Sequence, residues 1–200
     1  MKHHGQLRFF RFACLIWVGM MMTHPPLGGA VEIERLHVDH KENHYFILAS
    51  TLVALSPQQV HAGIVDIEHL ERLSSDIIDS RLIERKTKNR LIARMNLRSC
   101  IMVFCLERTL TETVIIKDRE IAFIITPAKN GFRSGWVRWK LLNSERGTRV
   151  LYTSELVPDF WVPPMVGPFL LTGKFRDNTI EVMERLEQQH TPKAKEGMEP

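Results

Sequence analysis

The stretch GWVRWKLLNSERGTRVLYTSEL, Gly135 to Leu156, decides how this chain folds. Val137, Trp139 and Leu141 alternate with Arg138 and Lys140, so one face is apolar and the other charged. A period of two with a single apolar face marks a half-buried antiparallel strand. Asn143 to Gly147 supplies turn residues, and on the returning segment, Thr148 to Leu156, Val150 and Tyr152 share a face. The apolar side of such a pair must be covered by another element.

Working outward, the same period recurs. Leu91, Ala93, Met95 and Leu97 alternate with Arg90, Arg94 and Arg98 after the polar turn Lys86 to Arg90. Ile77 to Glu84, Phe104 to Ile116 and Glu120 to Thr126 read as further strands, the last stopped by Pro127 and a Lys129-Asn130-Gly131 turn. Upstream, Tyr45 to Leu55 is aromatic and β-branched and reads as the first strand. Ser56-Pro57 then caps a helical stretch to Leu73, in which Gly63 suggests two short helices. Downstream, PDFWVPPMVGP, Pro158 to Pro168, leads into an amphipathic helix over Phe169 to Gln188. The expected fold class is α+β, a curved antiparallel sheet of about seven strands wrapped around one long C-terminal helix. Such wrapping leaves space along the helix axis wherever the lining side chains are small, and a ligand would sit there.

The ends carry separate signals. Lys2, Arg8 and Arg11 precede the apolar run Ala13 to Met22, then Pro25-Pro26 and Gly28-Gly29-Ala30. That is the plan of a cleavable signal peptide over residues 1–30, so a periplasmic location is expected. Residues 31–44 read as a polar leader. His37, His40 and His44 would share a face there only if it were helical, and no metal is assigned. Residues 189–200 read as a disordered tail. The 200 residues are 44 % hydrophobic and 25 % charged, with net charge +4. Losing the signal's three positive charges leaves about +1, which gives no reason to expect nucleic acid.

No catalytic motif, phosphate loop or C-x-x-C is present, and neither an enzyme activity nor a cofactor is assigned. Glu155 reads as a solvated strand residue and Asp159 as a turn residue. An enzyme would need an ionisable group pointing into the cavity with a perturbed pKa. In a meander, the connections near Ser99–Val103, Ala128–Gly131 and Pro158–Pro168 fall on one rim. Two of them, CIMVFC and PDFWVPPMVGP, are markedly apolar, as at a binding or membrane-contact surface. Cys100 and Cys105 are roughly 16 Å apart in a straight strand, beyond disulfide reach. In a hairpin corner they come within it, and a disulfide and two free thiols both remain open.

The order of elements, with Ser56-Pro57, GWVRWKLL, GTRVLYTSEL and the proline-rich entry to the last helix, resembles the START-like helix-grip superfamily. Over residues 45–188 the nearest resemblance is to its polyketide cyclase/dehydrase and coenzyme-Q-binding branch, in an exported bacterial form. The resemblance implies a hydrophobic cavity between sheet and helix and an apolar ligand such as a lipid, quinone or isoprenoid. It carries over no catalytic residue. The expected wall is Met95, Leu97, Val137, Trp139, Val150 and Tyr152, with Phe169, Leu170 and Phe175 from the helix. Phe160, Trp161, Val162 and Met165 are expected at the mouth.

Overall fold

In a computed structural model the chain is described over residues 31–101, 103–127, 131–162 and 168–190. The expected signal peptide, Met165 and residues 191–200 of the expected tail lie outside these residues, while Gln189 and His190, expected in the tail, are helical. Eight antiparallel strands form one sheet: β1 (Glu32–Lys41), β2 (His44–Val53), β3 (Ile77–Thr87), β4 (Arg90–Ile101), β5 (Phe104–Lys117), β6 (Glu120–Ile125), β7 (Phe132–Ser144) and β8 (Gly147–Pro158). Their order is β1-β2-β8-β7-β6-β5-β4-β3. Helix α1 (Pro57–Val65) and a 3-10 turn (Ile67–Arg72) carry the chain from β2 across to β3, and α2 (Pro168–His190) follows β8. This is the helix-grip α+β fold. Among the described residues no helix is long and apolar enough to cross a membrane.

The strand count corrects one expectation. Residues 31–44 are not a polar leader: most of them form β1, paired along its length with β2. A register shift between Ile33 and Arg35 changes which residues face inward and ends with Val38 buried. The bulge breaks the alternation that would have announced a strand. Glu34 fastens β1 to the sheet, accepting from both Nε and Nη2 of Arg149 on β8 at 2.7 and 2.8 Å, and from the Ser50 hydroxyl on β2 at 2.7 Å. In a strand the three histidines cannot stack at helical spacing. His40 stacks on Tyr45 and His44 bonds Glu155. No cluster of three potential metal ligands occurs among the described residues.

Ser56 and Gln59 make a reciprocal capping box at the start of α1, with Pro57 in its first turn, which satisfies backbone donors that a helix start otherwise leaves open. The break before the 3-10 turn falls at Asp66, not at Gly63. Gly63 serves close approach instead, since a Cβ there would overlap the Leu186 side chain of α2. Gly147 opens β8 at φ +129°, where a side chain would also meet the Val53 carbonyl. The next residue, Thr148, donates its hydroxyl to Leu55 O at 2.6 Å. Here β2, α1, β8 and the C-terminal half of α2 close one end of the molecule. Val53, Val60, Ile64, Leu141, Met183 and Leu186 fill it as a continuous apolar cluster.

The opposite end is built from loops. The β1–β2 turn reaches it through Asn43, whose side-chain amide donates to Pro158 O at 2.9 Å. The connection after β6 reaches it through Gly131, whose carbonyl accepts from Asp159 N at 2.8 Å. The β4–β5 hairpin ends there too. Cys100 pairs with Cys105 across its strands, and the two are joined in a disulfide with Cα atoms 4.0 Å apart. A corner, not a straight strand, brings the two cysteines together.

Candidate functional site

Because α1 and its cluster fill only the closed end, the sheet and α2 part toward the loops and leave a cavity of about 630 Å³. Strand alternation decides its wall. Met95 and Leu97 of β4, Val137 and Trp139 of β7, and Val150 and Tyr152 of β8 all line it, at the positions expected from the sequence. The Trp139 and Tyr152 rings meet edge to face, with centroids 4.9 Å apart, and Tyr152 touches Phe175 of α2 at 4.9 Å. Phe160, Trp161 and Val162 line the mouth. Phe160 packs edge-on against Phe132 at 5.7 Å, and the Arg108 guanidinium lies 5.1 Å from its ring centre.

Of the three helix residues expected to line the cavity, Phe175 does so. Leu171, Lys174, Phe175, Asn178, Thr179, Val182 and Met183 line the cavity, at spacings of three and four. Phe169 and Leu170 do not, and Phe169 is 87 % exposed. Helical phase is the reason: residue 169 lies two positions before Leu171, about 200° around the axis. A polar clasp holds this half of α2 in place. Lys174 Nζ pairs with Asp76 at 2.7 Å, and Asp76 also accepts from the Ser99 hydroxyl at 3.0 Å. Ser74 Oγ donates to Asn178 Oδ1 at 2.7 Å, and Glu181 accepts from Ser75.

The sequence reading missed one group. Glu112 of β5 lines the cavity at 3 % exposure, and its Oε2 has no hydrogen-bond partner. Burial pushes its carboxyl up to about 7, because ionising in a poorly solvated site is costly. Leaving such an oxygen unpaired costs of order 1–3 kcal/mol. The signal was available: in Leu110-Thr111-Glu112-Thr113-Val114, alternation puts Glu112 on the same face as two buried aliphatics.

Tyr152 is pushed up to about 12, by burial first, against the opposing pull of a nearby Ser154 hydroxyl, with the Glu112 charge adding to the rise. Tyr152 lines the cavity, and with its titration pushed this high its hydroxyl stays a protonated donor at neutral pH. Ser154 acts on Tyr152 but is not aligned with it, and Ser154 Oγ is also buried without a partner. Glu155, on the other face of β8, takes hydrogen bonds from His44 and the Trp136 indole. They hold its carboxyl below the usual range. It is a bonded surface residue, not a merely solvated one.

This fold and cavity define a class. The chain belongs to the polyketide cyclase / dehydrase and lipid transport family, whose model matches residues 53–182. Among solved structures it is similar to a START superfamily protein from Mycobacterium smegmatis, with 16 % identity, 72 % of this chain and 98 % of that one covered, and a TM-score of 0.58. It is also similar to a STAR-related lipid transfer protein from Xanthomonas axonopodis, with 12 % identity, 80 % and 99 % covered, and a TM-score of 0.60. The Zhui aromatase/cyclase of a Streptomyces species matches with 11 % identity, 73 % and 92 % covered, and a TM-score of 0.54. Identities this low speak for the fold alone. No curated protein matches the chain.

Proposed function

We propose that this protein binds and carries a hydrophobic small molecule, a lipid, quinone or isoprenoid, in the cavity between the sheet and α2, and does so in the periplasm. The observation that carries the reading is the cavity itself. At about 630 Å³ it falls within the roughly 300–1,000 Å³ of small-molecule sites, and its wall is predominantly apolar. The family and its lipid-transfer relative support the ligand class. The sequence of residues 1–30 supports export, and a disulfide suits an oxidising compartment. Native mass spectrometry after gentle extraction tests carriage, with an organic-extractable adduct as the expected result. A protein that stays empty when offered total membrane lipid and quinone overturns the proposal.

Loading from a membrane fits the open end, where Trp161 is 75 % and Val103 85 % exposed beside the mouth. Side chains of this kind partition into the lipid interface. Wild-type protein is expected to float with liposomes, and Trp161→Ala combined with Val103→Ser to reduce the floated fraction several-fold. Equal flotation of the two proteins removes membrane contact from the reading.

Glu112 favours a second reading, a cyclase- or dehydratase-like enzyme acting on an apolar substrate. A carboxyl titrating near 7 is matched to proton transfer at neutral pH. That reading requires turnover, so a bound molecule recovered chemically unchanged after prolonged incubation counts against it.

A further inference from the structure

Arg108 Nε near the mouth aside, two buried side-chain polar atoms among the described residues have no partner, Glu112 Oε2 on β5 and Ser154 Oγ on β8. Tyr152 stands in the electrostatic reach of both. The other charged pair on the cavity wall, Lys174 and Asp76, is already mutually satisfied at 2.7 Å. Arg108, also on β5, lies toward the mouth over the Phe160 ring. Glu112 is thus a polar wall residue held in reserve, eight residues along β5 from Phe104 at the hairpin. Its neighbours in register are Ala93 and Ile125, neither of which can bond it through a side chain.

We propose that Glu112, with Tyr152, forms a subsite for a hydroxyl group, an alcohol or a phenol, carried by an otherwise apolar ligand. The inference rests on the hydrophobic-ligand reading and narrows it. Buried polar groups are ordinarily paired, and an apolar ligand with no polar atom would seal these oxygens in permanently. A hydroxyl both donates and accepts. It can donate to Glu112 and accept from Tyr152, both of which line the cavity. A charged ligand group, carboxylate or ammonium, would have to leave water for this poorly solvated wall, which costs far more than burying a hydroxyl.

Four probes of one shape test this: 2-naphthol, naphthalene, 2-naphthoate and 2-naphthylmethylammonium, titrated by calorimetry against wild type and Glu112→Leu. Wild type is expected to bind 2-naphthol at least ~10-fold more tightly than naphthalene, the factor that about one net hydrogen bond produces. Glu112→Leu is expected to close most of that gap. Equal wild-type affinity for naphthol and naphthalene overturns the subsite while leaving apolar binding intact. So does tighter binding of either charged probe, or a naphthol preference that survives Glu112→Leu. Failure of all four probes to bind overturns the subsite and the hydrophobic-ligand reading together. The wild-type comparison alone decides the matter if the variant does not fold.

Discussion

Without ligand, Glu112→Gln is expected to melt at a higher temperature than the parent protein at pH 8, with the difference growing by roughly 8 °C between pH 5 and pH 8. The folded-state carboxyl titrates at about 7 because it is buried, whereas an unfolded glutamate titrates near ~4.3. Between those values the folded protein holds a proton that the unfolded chain releases. The contribution is therefore fully present below the unfolded value and is lost as pH rises through the folded one. The gap between about 7 and ~4.3 corresponds to roughly 3.7 kcal/mol in full, of which roughly 2.5 kcal/mol is lost between pH 5 and pH 8. Glutamine cannot ionise, so the variant escapes the loss. Glu34, held at about 2 chiefly by its hydrogen bond from Arg149, and Glu155, also depressed, lose their contributions only at lower pH. Parallel melting curves across the range show that Glu112 is hydrated and partnered in solution.

Thr179→Trp is expected to empty the cavity while the protein still folds. Thr179 lines the cavity from α2, and its hydroxyl donates back to Phe175 O of its own helix at 2.7 Å. Replacing it breaks no bond across the cavity. An indole at this position occupies the space the ligand needs, and filling a void in an apolar wall tends to preserve or raise stability. Lipid occupancy, measured by native mass spectrometry, should fall at least ~10-fold, the change that a loss of about 1.4 kcal/mol in binding produces. The melting temperature should stay within a few degrees of the parent's. A folded variant with a full ligand load would place the ligand elsewhere.

The parts of the fold legible from sequence are those where one physical rule acts alone. In β7 and β8 a strict period of two, undisturbed along the inward face, gave Val137, Trp139, Val150 and Tyr152 their correct side. The cap at Ser56-Pro57 was legible because its chemistry is local. β1 was not: a bulge shifts its register, and its identity comes from Arg149 and Ser50, distant in sequence, which gather on Glu34. The helix was found, but the choice between Phe169 and Leu171 as its first inward residue depends on how α2 is clasped to Ser74–Asp76. Hydrophobicity could not supply that. Glu112 shows the reverse case. Alternation placed it inward, but a search for charged residues in recognisable motifs had no reason to look in a strand of threonines and aliphatics.

The disulfide has a consequence for proteolysis. The chain between Cys100 and Cys105 passes through the hairpin at Val103, one of the most exposed apolar side chains described, and exposed loop tips are where proteases nick. A cut there separates β4 from β5 along the backbone but not through sulfur. The N-terminal part, including the α1 end, and the C-terminal part, including α2, would remain one covalent molecule. Only a reductant would let the two pieces part.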